Sequence, residues 1–330
     1  MDLVNHLEGR LLFAVPKKGR LLQAALNLLE GADIQFRRES RLDIALVKNL
    51  PIALVFLPAV DIPTFVGEGR VDLGITGRDV VAEHDAAVEG LNRARAQSGK
   101  STPTEEEAAQ KGCVEVMDLG FGACKLQVQV PEKGQYKTPA DLIGKNIGTS
   151  FVHLAEEFFA KLELEADSAS GAAPTKKLRT NIIELSGSVE AACALGVADG
   201  IVDLVESGET MKAAGLMAID TVVASTAVLV KSKSPSNPAM VDLLASRIRG
   251  VITAQKFVLC QYNVERTKLP QATKITPGKR APTINALEEE GWVAVSSMVE
   301  KKRIAVVMDE LTEVGATDIL VLDIVNTRTF

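Results

Sequence analysis

The amino-acid sequence predicts an α/β protein that closes with a small ferredoxin-like βαββαβ domain. Three observations predict it. The chain opens with a strand, a polar turn and a helix; short apolar runs bounded by Gly and Pro follow; and the last seventy-odd residues change to strands separated by a helix of clear 3.6-residue period.

The opening unit is a strand at 11–15, the turn Pro16 to Arg20, and a helix at 21–29 that Gly31 stops. Runs at 44–47, 52–57 and 71–75 are short and uniformly apolar, as buried strands of an α/β sheet are. Residues 86–111 are rich in Ala, Arg, Gln, Glu, Ser and Thr and predict a surface insertion, part helix and part loop. Residues 164–180 have the composition of a flexible excursion. From Lys256 the pattern predicts strands at 257–262, 283–287, 292–299 and 318–325. Ile304, Val307, Met308, Leu311 and Val314 mark one helix that Gly315 caps, and a short helical turn is expected after Tyr262.

At 330 residues and 46% hydrophobic, the chain can build two or three cores. Its formal net charge of −6 and 4% aromatic content give neither the basic footprint nor the stacking surface of a nucleic-acid binder. No apolar run reaches the roughly 18 to 20 residues that span a bilayer, so no membrane partner is expected. The first twenty residues lack the layout of a cleavable leader, which predicts a cytoplasmic protein. Cys113, Cys124, Cys193 and Cys260 are far apart and read as reduced structural thiols; His6, His84 and His153 are equally scattered, and zinc has no support.

Val71–Gly77 reads VDLGITG and Val202–Gly208 reads VDLVESG. Either two buried strands are alike by chance, or two related lobes each end a strand in a polar turn facing a common cleft, where open α/β sheets bind ligands.

The strongest chemical text is ADGIVDLVESGETMKAAGL, Ala198 to Leu216. An apolar strand carries Asp203, a short turn carries Ser207, Gly208 and Thr210, and a helix follows. Such a turn presents backbone N–H groups and the positive end of a helix to one point, which suits a phosphate dianion, and Asp203 could accept hydrogen bonds from sugar hydroxyls. The same text also reads as an ordinary strand-turn-helix connection with Thr210 as N-cap. Lys17, Lys18 and Arg20 form either a polyphosphate site or a solvated basic turn. Asn146–Ser150 is a further polar turn after a strand, equally a cap. No Gly-Lys-Ser/Thr completes a P-loop, and Gly67 and Gly69 lack the third glycine of a dinucleotide fingerprint.

In order, VPKKGRL, VDLGITGRDV, GACKL, IGTSF, SGSVE, VADGIVDLVESGETMKAAGL, PGKRAPTI and DELTEVGATDILVLDI closely resemble the ATP phosphoribosyltransferases of histidine biosynthesis, in the long form that carries a regulatory domain. The resemblance implies a two-lobed, periplasmic-binding-protein-like catalytic core: lobe I at 1–112 with a return at about 217–254, lobe II at 113–216, and the regulatory domain at 255–330. It implies attack of adenine N1 of ATP on C1 of phosphoribosyl pyrophosphate, Mg²⁺ carried mainly by the pyrophosphate, inhibition by histidine, and a homo-hexamer. By the same resemblance, Asp203 binds ribose hydroxyls and Ser207, Gly208, Glu209 and Thr210 hold the 5′-phosphate, with the Glu209 side chain turned outward. Lys17, Lys18 and Arg20 serve nucleotide phosphates, and Asp118, Thr149, Ser150 and Glu190 line the cleft. Asn263 and Thr283 mark the histidine pocket, or else are sheet-edge polar residues. No residue is identified as a general base. The adjacent acid pair of type I phosphoribosyltransferases is absent, because Glu206 is displaced from Asp203.

Overall fold

The computed structural model describes residues 7–38, 42–97, 112–171 and 177–328. Two compact units emerge. One takes in the chain as far as Pro238 apart from Leu26–Gln35, and the other joins Leu26–Gln35 to the chain from Ala239 on.

The first unit opens with β1 (Leu11–Pro16) and the first turn of α1 (Leu22–Gly31), whose remainder belongs to the second, followed by β2 (Ile44–Leu46), β3 (Ile52–Leu57), α2 (Ile62–Gly67), β4 (Leu73–Gly77), α3 (Arg78–Gln97) and β5 (Cys113–Asp118). The chain then builds β6 (Cys124–Pro131), β7 (Asn146–Thr149), α4 (Val152–Ser170), β8 (Asn181–Glu184), α5 (Ala191–Ala194), β9 (Gly200–Val205), α6 (Glu209–Ala213) and β10 (Leu216–Ser225), and returns as β11 (Ala227–Ser232). These strands form a six-stranded sheet, β2-β3-β1-β4-β11-β5, and a five-stranded sheet, β10-β6-β9-β7-β8. Phe13, Ala14 and Val15 of β1 have no exposed surface, as expected of a parallel strand covered on both faces.

The two sheets share one plan. β4 lies between its parallel neighbour β1 and the antiparallel return strand β11; β9 lies between parallel β7 and antiparallel β6. The segments VDLGITG and VDLVESG therefore occupy equivalent strands of two topologically equivalent lobes, and this is the periplasmic-binding-protein-like core that the family resemblance implies. The sheets exchange chain at 119–123 and at Thr226: β5 belongs to the first sheet and β10 to the second, so the boundaries expected at 112 and 217 are displaced. A strand-by-strand reading of hydrophobicity cannot place such a crossover, because both sheets are equally apolar.

In the second unit α7 (Pro238–Lys256) precedes β12 (Phe257–Glu265), α8 (Leu269–Ile275), β13 (Thr283–Ala286), β14 (Trp292–Glu300), α9 (Ile304–Glu313) and β15 (Thr317–Asp323). The antiparallel sheet runs β13-β14-β12-β15, the ferredoxin-like order. Val258, Cys260, Tyr262 and Val264 alternate into a core with Val293, Val295, Val307 and Leu311. This compact unit takes in α7 together with the residues from 255 on. Arg247 of α7 donates to the carbonyls of Ala32 and Asp33 at 3.4 and 3.3 Å, and Asn326 donates to that of Gly31 at 2.9 Å, which explains why Leu26–Gln35 belongs here as well.

Of the two segments expected to depart from the sheet pattern, only the second changes its reading. α3 is continuous to Gln97, so the expected insertion is helical over its first half; residues 98–111 lie outside the described residues, as does His6. Residues 164–170 continue α4, which Gly171 ends in the left-handed conformation. Residues 172–176 of the expected excursion again lie outside the described residues. The helix was hidden because its inward face carries charge: Glu163 and Asp167, one turn apart, are 4% and 6% exposed. Glu163 accepts the amides of Arg179 and Thr180 at 2.9 and 2.8 Å and the Thr180 hydroxyl at 2.7 Å, while Asp167 pairs with Arg179 at 2.8 Å. The cysteines are unpaired, and burial pushes the Cys113 and Cys193 thiols up to about 11, as suits structural residues. No described helix is long and apolar enough to cross a membrane.

Burial of Glu163 opposes ionisation, but the hydrogen bonds from Arg179 and Thr180 outweigh it and hold the carboxyl below the ordinary range. Its contribution to stability is thus complete above the unfolded-state value of ~4.3 and is lost as pH falls through the lower folded value. Glu163→Ala should lower unfolding free energy at neutral pH by about 3 kcal/mol in urea titration, since it strands buried donors. A loss under about 0.5 kcal/mol, the size of a surface substitution, contradicts this account.

Candidate active site

The C-terminal ends of β1, β4, β7 and β9 point toward one cleft within the first unit, and two cavities open there. A cavity of about 420 Å³ is lined by Lys18, Arg20, Asp79, Glu83, Ser150 and Asp203, among others. A second, of about 560 Å³, is lined by Arg78, Lys125, Ser207, Gly208, Lys212 and Thr226, among others.

β9 delivers Asp203 to the first cavity. One carboxylate oxygen accepts the Leu204 amide at 2.8 Å, and the Asp203 carbonyl accepts from Gln129 at 3.2 Å. Burial pushes the Asp203 carboxyl up; the Leu204 amide opposes this, and the nearby Glu190 adds to it. Three residues beyond β9, Gly208 adopts φ +79°, a conformation that favours glycine, and so swings the chain into α6. Among the described residues no protein acceptor meets the amides of Ser207, Gly208, Thr210 or Met211, while the Glu209 amide lies 3.4 Å from the Ser207 hydroxyl. Glu209 and Thr210 are exposed and stand outside the lining of both cavities. The outcome is a bare peptide edge of the kind that binds anions, flanked by Arg78, Lys125 and Lys212.

The remaining expected residues divide. Lys18, Arg20 and Ser150 line the first cavity, whereas Lys17 is a surface residue paired with Asp43 at 2.7 Å. Thr149 does not reach the cleft: it is wholly buried, donating to the Val202 carbonyl at 2.7 Å and accepting the Phe151 amide at 2.9 Å, so it fastens β7 to β9. Glu190 caps the start of α5 and lines neither cavity, although its charge acts on Asp203. Asp118 stands where the lobes exchange chain, accepting from the Thr226 hydroxyl at 2.5 Å, the Gly120 amide at 2.7 Å and Arg78 at 3.2 Å. Burial opposes its ionisation, but these hydrogen bonds prevail and hold its carboxyl below the usual range. In the second unit, Asn263 and Thr283 share one face of the sheet but sit on β12 and β13, the two neighbours of β14, and pair with Ala294 and Ser296, so that they stand roughly 12 Å apart at the usual strand spacing and rise. Asn263 donates to Asp318 at 3.0 Å. The cavity described there, about 150 Å³ between Phe257, Thr276, Met298 and Arg303, contains neither residue.

Sequence reasoning missed Arg78, Asp79, Glu83, Lys125 and Lys212. Arg78 and Asp79 follow VDLGITG directly, so equating the two VDL segments would have placed them opposite the phosphate turn. Glu83 has no such signal; its carboxylate accepts the His153 and Leu154 amides at 2.8 and 2.9 Å and so occupies the first turn of α4. Asp79 is wholly buried, and its Oδ2 is a buried side-chain atom without a hydrogen-bond partner among the described residues. Such an orphaned acceptor costs on the order of 1–3 kcal/mol, which marks the first turn of α3 as a place shaped for something other than stability.

Residues 58–250 match the family described as HisG, ATP phosphoribosyltransferase, and residues 254–326 match the HisG C-terminal domain. The ATP phosphoribosyltransferase of Yarrowia lipolytica is 58% identical over 328 residues, covering 99% of this chain and 100% of its own. That of Saccharomyces cerevisiae is 54% identical over 329 residues, with the same coverage. A chain of the ATP phosphoribosyl transferase (HisG:HisZ) complex from Thermotoga maritima superposes with a TM-score of 0.50 at 23% identity, over 72% of this chain and 98% of that one, a likeness of fold. With both family regions matched in order and more than half of all residues shared over the full length with curated relatives, the chain belongs to the ATP phosphoribosyltransferase family.

Proposed function

We propose that the chain condenses ATP with phosphoribosyl pyrophosphate, forming the bond between adenine N1 and C1 of the ribose and releasing pyrophosphate, as the first step of histidine biosynthesis. The observation that carries the site assignment is the set of unengaged amides after β9. In this reading the 5′-phosphate accepts from Ser207, Gly208, Thr210 and Met211 amides and from the Ser207 and Thr210 hydroxyls. Asp203 accepts from the ribose hydroxyls, which places the anomeric carbon toward the first cavity, where Lys18, Arg20 and Ser150 stand. The exposed side chain of Glu209 keeps its charge away from the phosphate.

Adenine N1 already holds a lone pair, so the chemistry needs no base to create a nucleophile. Rate comes from holding N1 and C1 in line and from positive charge around the departing pyrophosphate. Arg78, Lys125 and Lys212 join Arg20 as its candidate cationic surroundings. Mg²⁺ accompanies the pyrophosphate and neutralises part of its charge. A cation of this kind keeps most of its waters and takes one or two carboxylates, and Asp203, which lines the first cavity, is a candidate for one of them.

Steady-state kinetics test the assignment. Thr210→Ala should raise KM for phosphoribosyl pyrophosphate about tenfold, and Asp203→Asn should lower kcat/KM by about a hundredfold, with the KM for ATP little changed, on the scale of one and two charge-assisted hydrogen bonds. Wild-type constants in both variants reject it.

Histidine, in the same reading, inhibits by binding the C-terminal unit on the face that carries Asn263 and Thr283. Asn263→Ala and Thr283→Ala should each weaken histidine inhibition about tenfold, as expected for the loss of one hydrogen bond to a charged ligand, while leaving turnover without histidine intact. Unchanged inhibition constants move the pocket elsewhere on the unit.

A further inference from the structure

Arg20 is surrounded in a way that the proposed reaction does not explain. Its guanidinium donates to the Gly122 carbonyl, approaches Asp79 Oδ1 at 3.7 Å, and forms an ion pair with Glu206, Nε to carboxylate oxygen, at 3.3 Å. Arg20 lines the first cavity and Glu206 the second, so their ion pair stands between the two. The two carboxylates differ in kind. Asp79 is 0% exposed, held by the Ser225 hydroxyl at 2.6 Å; the Glu206 side chain is 52% exposed and adjoins the phosphate turn.

The arrangement is built rather than incidental. A Cβ on Gly77 would lie 2.1 Å from Asp79 Oδ1, and one on Gly122 would lie 3.2 Å from Arg20 Nη1 and 2.4 Å from Leu21. Glycines from two distant segments thus clear the space in which Arg20 and Asp79 meet. Asp79 Oδ2 nevertheless has no hydrogen-bond partner among the described residues, and Arg20 approaches the carboxylate only on its Oδ1 side, at 3.7 Å, while it also pairs with Glu206.

We infer that Glu206 is an internal stand-in for a substrate phosphate on Arg20, and that Asp79 is the fixed carboxylate that keeps the guanidinium in place when Glu206 is displaced. This rests on the proposed placement of the pyrophosphate between the two cavities. An incoming anion takes the Nε donor, Glu206 swings to solvent, and the guanidinium closes on Asp79, giving its orphaned oxygen a donor. Glu206 thereby lowers affinity for anions in general and sets a threshold that a multiply charged, well-aligned pyrophosphate passes more readily than orthophosphate.

The test is a double-mutant cycle on the full chain, with inorganic pyrophosphate and Mg²⁺ as the probe. Thermal-shift titration is carried to millimolar concentration so that weak binders still read. Glu206→Gln, at an exposed position, should tighten pyrophosphate about two- to fivefold, the range set by a half-exposed ion pair. In an Arg20→Gln background the same substitution should give no gain. No tightening in the single variant, or an equal gain without Arg20, overturns the inference, because the second result belongs to a general charge effect. If Arg20→Gln alone leaves pyrophosphate affinity unchanged, the placement of Arg20 at the anion site fails, and the inference fails with it. Loss of affinity in Arg20→Gln with no change in Glu206→Gln sinks the stand-in role and leaves that placement standing.

Discussion

Peptide N–H groups need acceptors, and a stretch that leaves several of them bare at the mouth of a cleft is the constraint around which this protein is organised. The turn between β9 and α6 does so because Gly208 takes a left-handed conformation and directs Ser207, Gly208, Thr210 and Met211 away from the sheet ladder. β9 can end there without unravelling because it lies inside its sheet, paired with β6 on one side and β7 on the other, and because Thr149 and Gln129 fasten it to both. In the proposed function the affinity of the turn for an anion follows from this, and so does the value of the cations gathered near it.

The opposite wall repeats the plan with different contents. β4 holds the place in its sheet that β9 holds in the other, and it too runs into a helix through a glycine, but there the first turn carries Asp79 instead of bare amides. One lobe thus supplies amides and the other a buried carboxylate that steers a guanidinium. The aspartates of the repeated VDL segments have parted in the same way. Asp72 is 7% exposed and accepts the Leu12 and Ser236 amides at 2.9 and 2.5 Å, a purely internal role, while Asp203 keeps its carboxylate at the cavity.

How much of this was legible in the sequence depends on whether the signal was local. The phosphate turn, the strand that bears Asp203, and the alternation of β12 and β14 are properties of consecutive residues, and periodicity and turn chemistry reveal them. Thr149 was misjudged because a threonine after a strand looks the same whether its hydroxyl faces a cleft or a neighbouring strand's carbonyl. The inward face of α4 was missed because Glu163 and Asp167 are buried by partners that follow in a different segment. Lys125 follows the crossover between sheets, and Glu83 meets a helix from a distant segment, long-range features that no window of sequence contains. Family resemblance supplied what local physics did not: the ligand proposed for the turn, and the family to which the ordered pieces belong.

The central claim is tested most directly by a crystal structure of the chain with phosphoribosyl pyrophosphate bound. The account predicts the 5′-phosphate within hydrogen-bond distance of the Ser207, Gly208 and Thr210 amides, with the ribose hydroxyls on Asp203. A 5′-phosphate bound elsewhere in the cleft, with those amides left to water, would contradict it.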